Sequence, residues 1–199
     1  MENVSLTEFI DYVNKRGTPK ATVVRNFKER ENEEYEPAKD FYKSFREAVV
    51  DMHLRGRDVR ALDDMFKKLT DAKKIKNYPA MIAGYKKYLG KKNVTWFKPR
   101  SSVWSSSGMT VAINPELGID RSGQRCVVKM FLKNEILPRD RALMITTLME
   151  EALGPSFPGV TFCVLDVRSG RAYEHAPLKD AKHLLEAEAA SFMSLYRAL

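Results

Sequence analysis

Residues 93–132, NVTWFKPRSSVWSSSGMTVAINPELGIDRSGQRCVVKMFL, decide the fold. Four short runs within this stretch are rich in β-branched and aromatic residues: NVTWF (93–97), SSVWS (101–105), MTVAI (109–113) and RCVVKMFL (125–132). Each is bounded by turn residues, which is the grammar of strands. Ser106-Ser107-Gly108 supplies a hairpin turn, and Asp120-Arg121-Ser122-Gly123 a turn before the fourth run. Four strands in succession, with no helix between them, leave no room for the βαβαβ alternation of a doubly wound nucleotide fold. Neither GxGxxG nor GxxxxGK[ST] occurs in the chain, so no phosphate loop is predicted.

Upstream, the first 90 residues read as helical. Leu6, Phe9, Ile10 and Val13 recur at helix spacing behind a Ser5/Glu8 capping box, and Gly17 stops that helix. A second helix opens at Thr18-Pro19, because proline suits the first helical position. An acidic joint follows, with Glu29, Glu31, Glu33, Glu34 and Glu36. A third helix runs over 37–55, burying Phe41, Phe45, Ala48, Val49 and Met52, and Gly56 is its expected cap. A fourth carries Leu62, Met65, Phe66 and Leu69. After a basic hinge at 73–76, Pro79 begins a fifth, which buries Met81, Ile82, Tyr85 and Leu89.

Downstream, a helix over 138–153 is apolar over a wide arc, so it packs across the sheet. VTFCVLDV is apolar on both faces and reads as a central strand. RAYEH is a further strand, and the helix over 180–199 buries Leu184, Leu185, Ala189, Phe192 and Leu195. The expected class is α+β: a helical N-terminal region (1–90), then a mostly antiparallel sheet flanked by two helices (91–199, β-β-β-β-α-β-β-α). The two regions form either separate units or one continuous domain.

Composition bounds the function classes. A chain of 199 residues with 44% hydrophobic content can bury a sizeable core. No apolar run is long enough to span a bilayer. Glu2, Glu8 and Asp11 spoil the layout of a secretory signal, so a cytoplasmic protein is expected. Cys126 and Cys163 fall in predicted strands and read as buried free thiols in a reducing compartment. Two Cys and three scattered His give no zinc spacing. His53 stands near a helix C-terminus, where a cation is mildly favoured. His175 ends a strand, and His183 precedes Glu186 by one helical turn. None of the three pairs at motif spacing with Ser, Cys or Asp.

The formal net charge is +8, and it is not spread evenly. Between 66 and 100 stand eleven Lys or Arg residues and a single acid, Asp71. Aromatic residues are interleaved with them: Tyr78, Tyr85, Tyr88, Trp96 and Phe97. Phosphates need cations, and unpaired bases need flat apolar faces. The leading expectation is therefore a nucleic-acid-binding protein, DNA or RNA, with the surface built by Lys67, Lys68, Lys73, Lys74, Lys76, Lys86, Lys87, Lys91, Lys92, Trp96, Lys98 and Arg100. Trp96 or Tyr88 would be the stacking platform. This reading needs no cofactor. The bland counterpart is a solvated face balanced by acids from elsewhere. Residues 6–16 and 19–30 also have the lengths of a helix-turn-helix that would offer Lys20, Arg25, Asn26 and Lys28 to a groove.

One alternative is catalytic. Lys129 sits amid apolar neighbours in CVVKMFL, Asp166 ends VLD, and Glu116 follows Asn114-Pro115. If the strands are neighbours, Glu116, Lys129 and Asp166 converge at one rim. The order of elements over about 80–167, with Pro-Glu before a strand lysine, resembles the PD-(D/E)xK nucleases. In that family an acid stands two residues before the lysine. Here that position is Val127, and Glu150 or Glu151 would have to substitute. The resemblance implies a magnesium ion and hydrolysis of a phosphodiester. The structural counterpart puts Lys129 on a solvated sheet face and Asp166 at the start of a turn. A third reading is a basic interaction module within a larger complex, presenting its cations to an acidic protein subunit, with the joint at 29–36 as a docking element.

Overall fold

The computed structural model describes residues 2–31, 40–90 and 93–199. The chain opens with β1 (Glu2–Ser5), which runs straight into α1 (Leu6–Asn14). The Ser5 hydroxyl accepts the Glu8 N–H at 3.2 Å, and the Glu8 carboxylate accepts the Ser5 N–H at 2.9 Å. This reciprocal box satisfies two donors that the first helical turn would otherwise leave unpaired. Four helices follow: α2 (Thr18–Glu31), α3 (Lys43–Leu54), α4 (Ala61–Lys67) and α5 (Ala72–Leu89). Strands β2 (Thr95–Phe97), β3 (Ser102–Ser106), β4 (Met109–Ile113), β5 (Leu117–Arg121) and β6 (Gln124–Phe131) come next. The chain closes with α6 (Arg139–Leu153), β7 (Thr161–Asp166), β8 (Arg171–Glu174) and α7 (Ala181–Ala198).

The architecture is α+β, with a helical N-terminal region leading into sheet. The strands form two sheets rather than one: β1-β4-β3, and β2-β5-β6-β7-β8. Pairing is mostly antiparallel, the exceptions being β1 with β4 and β6 with β7. Strand β1 carries no sequence signal, since its polar residues surround a single buried Val4. Strand β5 was hidden because Gly118 and the Asp120 turn obscure its apolar alternation. Its Gly118 has a packing reason: a Cβ there would lie 2.5 Å from the Phe97 ring.

The largest departure from expectation is α5. The hinge at 73–76 is helix, and Pro79 lies inside α5 instead of starting it. Asp71 caps the N-terminus by accepting the Lys74 N–H at 2.9 Å. Pro79 removes one ladder bond, but its ring faces solvent. The lysines on either side of it therefore ride on one rod.

Alternation along β6 separates two cores. Val127 and Phe131 join a cluster with α1, α2, α6, α7 and the first sheet. Val128 and Met130 face a second cluster with α3, α4 and α5. Residues from before and after position 91 meet in both clusters. In α7, Leu185, Ala189 and Phe192 are buried as expected, whereas Leu184 is 46% exposed. Among the described residues, no helix is long and apolar enough to cross a membrane.

Candidate nucleic-acid interface

The expected basic surface is built mainly by α4 and α5. Positions 73, 76, 80, 83 and 87 follow a three-four spacing and share one face of α5. All five are exposed: Lys73, Lys76, Ala80, Ala83 and Lys87. The opposite face carries Tyr78, Met81, Ile82, Tyr85 and Tyr88 into the second core. Gly84 fixes this orientation. A Cβ there would collide with the Val167 carbonyl oxygen and lie 2.5 Å from that of Arg168, so only glycine lets α5 approach the β7–β8 turn. Lys87 Nζ donates to the Ser169 carbonyl at 3.0 Å across the same contact.

The eleven cations do not all remain free. Lys67 pairs with Asp64 at 3.1 Å, and Lys86 pairs with Asp63 at 2.6 Å. Both acids lie on α4, immediately upstream of the basic segment. Lys74 is half-buried and donates to Ser44 Oγ at 3.2 Å. Lys68, Lys73 and Lys76 are exposed and have no carboxylate partner among the described residues. Lys98 and Arg100 are exposed too, but they follow β2. Strand β2 packs against α3 at one edge of the sheet, whereas α5 packs against β8 at the other. The cations of the segment thus fall into two groups. Lys91 and Lys92 lie outside the described residues, as do Glu33, Glu34 and Glu36 of the acidic joint and the side chain of Glu31.

The three interleaved tyrosines are core residues, whereas Trp96 and Phe97 are half-buried. Tyr78 and Tyr85 are fully buried and Tyr88 is 8% exposed, so Tyr88 is not a stacking platform. Tyr78 donates to the Phe41 carbonyl at 2.7 Å and meets Phe45 edge-on at 5.8 Å. Tyr88 carries the Arg121 guanidinium on its ring at 4.5 Å from the centroid. Burial pushes the hydroxyl pKa of both Tyr85 and Tyr88 well up. Trp96 is half-buried, with its indole N–H buried and without a protein partner among the described residues. His53 hydrogen-bonds Tyr85 Oη at 2.5 Å. Burial, with Arg121 adding to it, lowers the imidazole to about 4, so it is neutral near pH 7 rather than the cation its helix position suggested.

Residues 18–31 do not offer a free recognition helix. Lys20 pairs with Glu188 on α7 and lies over the Tyr12 ring. Lys28 donates to the Tyr196 carbonyl at 3.2 Å. Arg25 and Asn26 remain exposed.

The candidate catalytic residues divide. Glu116 and Lys129 do come together, in a buried ion pair at the start of β5 and the middle of β6. Lys129 is 4% exposed, which corrects the expectation of a solvated sheet face. The second Glu116 oxygen accepts the Met130 N–H at 2.8 Å. Asp166 is turned away into the β7–β8 turn, where it accepts Ser169 Oγ at 2.7 Å. Glu151, one of the two substitute acids, accepts the Trp104 indole N–H at 3.0 Å. Glu116, Asp166 and Glu151 are thus each engaged with different protein donors. No cluster of three ligating side chains occurs among the described residues.

Cys126 and Cys163 are free thiols with their sulfurs 3.3 Å apart on neighbouring strands. Cys163 is buried as expected, and Cys126 is half-buried. Sequence reasoning missed Arg121, because it sits in a turn string. Its spacing from the strand residues Leu117 and Ile119 is the signal that puts it on the same sheet face. The chain matches no protein-family model and no curated protein.

Proposed function

We propose that this protein binds nucleic acid through the outer face of α4 and α5. One observation carries the reading: Lys68, Lys73 and Lys76, with Lys87 at the far end of the row, expose ammonium groups unopposed by carboxylates among the described residues. Such a row lowers the free energy of a polyanion by displacing its condensed counterions. Contacts of this kind position a nucleic acid and carry no base information.

Charge reversal tests it. The K73E/K76E/K87E variant should lose binding by about tenfold or more at moderate salt. The control is R139E/K179E/K182E, which changes net charge equally at exposed positions on and before α6 and α7. Equal weakening in both variants would mean that overall charge, not this face, drives association. The metal-dependent nuclease alternative has less support, because Glu116 is engaged at both oxygens and Asp166 closes a turn.

A further inference from the structure

We infer that the lysine row of α5 takes a double helix by its phosphates, in preference to a single strand held by stacked bases. The inference rests on the nucleic-acid reading above and narrows its substrate class. Sequence-tolerant single-strand sites gain about 1–3 kcal/mol per base from aromatic stacking. The outer face of α5 offers no aromatic surface. Tyr78, Tyr85 and Tyr88 all point into the core, and the exposed positions between Lys76 and Lys87 are Pro79, Ala80 and Ala83, none of them aromatic.

What remains is charge on a helix packed against the core along its other face. From Lys73 to Lys87 the helix rises about 21 Å at 1.5 Å per residue. Double-stranded DNA carries one negative charge per about 1.7 Å of its axis, denser than a flexible single strand presents. Gly84 docks α5 on the β7–β8 turn, and Asp71 caps its start. A fixed row of cations matches a stiff duplex, whose backbone geometry is fixed too. The two alanines keep the middle of the row low, so the lysines at its two ends can reach phosphates together. Lysine is a flexible point charge without a fixed donor fork, and contacts to phosphates carry no base information, so sequence discrimination by this face is weak.

The experiment compares three labelled probes of equal length by fluorescence anisotropy: a blunt DNA duplex, a blunt RNA duplex and an oligo-dT strand. The duplexes should bind about tenfold or more tightly than oligo-dT, and two duplexes of unrelated sequence should differ only a few-fold. A second variant, A80E/A83E, leaves every lysine in place and should weaken the duplex by about tenfold. Retained helicity and thermal midpoint in each variant separate lost binding from lost fold. Equal or tighter binding of oligo-dT, or wild-type duplex affinity in A80E/A83E, overturns the inference while leaving nucleic-acid binding intact. Failure of all three probes to bind overturns the nucleic-acid reading, and this inference falls with it.

Discussion

Gly84 and Val167 lie so close that α5 and the end of β7 touch backbone to backbone. This contact sets which side of α5 is core and which side is surface. The five-residue outer face, Lys73 to Lys87, follows from it by helix geometry alone.

A methyl group at position 84 must therefore push the helix away from the sheet. Gly84→Ala should destabilise the fold by about 1–3 kcal/mol, the usual range for overpacking. The measurement is the urea midpoint, with Ala83→Ser on the exposed face as a control that costs only the helix-propensity difference, about 0.5 kcal/mol.

The buried Lys129–Glu116 pair is predicted to be structural. Lys129→Met leaves the Glu116 carboxylate buried beside the Met130 N–H without its cation. Removing one partner of such a pair costs about 3–5 kcal/mol. The expected result is a large loss in urea midpoint with no phosphodiester cleavage in either wild type or variant. Magnesium-dependent cleavage by the wild type that vanishes in a stably folded Lys129→Met would reverse this assignment.

His53 makes a pH prediction with a definite sign. Its folded pKa, about 4, is below the unfolded value of about 6.5. The unfolded chain takes up the proton first, so the stability held above the unfolded value is lost progressively as pH falls from about 6.5 towards 4. His53→Gln keeps a hydrogen-bonding group near Tyr85 and removes the titration. Over that window its urea midpoint should fall less than the wild type's.

Cys163 should be chemically silent in the native state. Its thiol is buried, and its pKa is pushed well up by the hydrogen bond with Cys126 and by desolvation. Only the thiolate reacts with alkylating agents. Mass spectrometry after maleimide treatment should find Cys163 unmodified until urea unfolds the chain.

Much of the fold was legible because period and punctuation agreed. The Ser5/Glu8 box and the wide apolar arc of α6 each predicted an element that forms, whereas α1 ends at Asn14, ahead of the expected Gly17 stop. Strand β1 was not legible, since its stability comes from pairing with β4 over a hundred residues away. Pro79 misled because proline usually opens a helix, whereas here the Asp71 cap and the packed tyrosines override its lost hydrogen bond. For the candidate site, the concentration of lysines was readable, but their neutralisation was not. Asp63 and Asp64 precede the basic segment, and only the packing of α4 on α5 brings Asp63 to Lys86. The role of the tyrosines was equally hidden, because a helix interleaving lysine and tyrosine fits both a stacking surface and an amphipathic core face.

The most direct test of the cationic face is the salt dependence of association with a DNA duplex. If Lys68, Lys73, Lys76 and Lys87 each neutralise a phosphate, a plot of log Kobs against log salt should have a slope of about −3 to −4. The K73E/K76E/K87E variant removes three of the four contacts and should reduce that slope to about −1. A wild-type affinity that hardly changes with salt, or a slope left intact in the variant, would contradict the account.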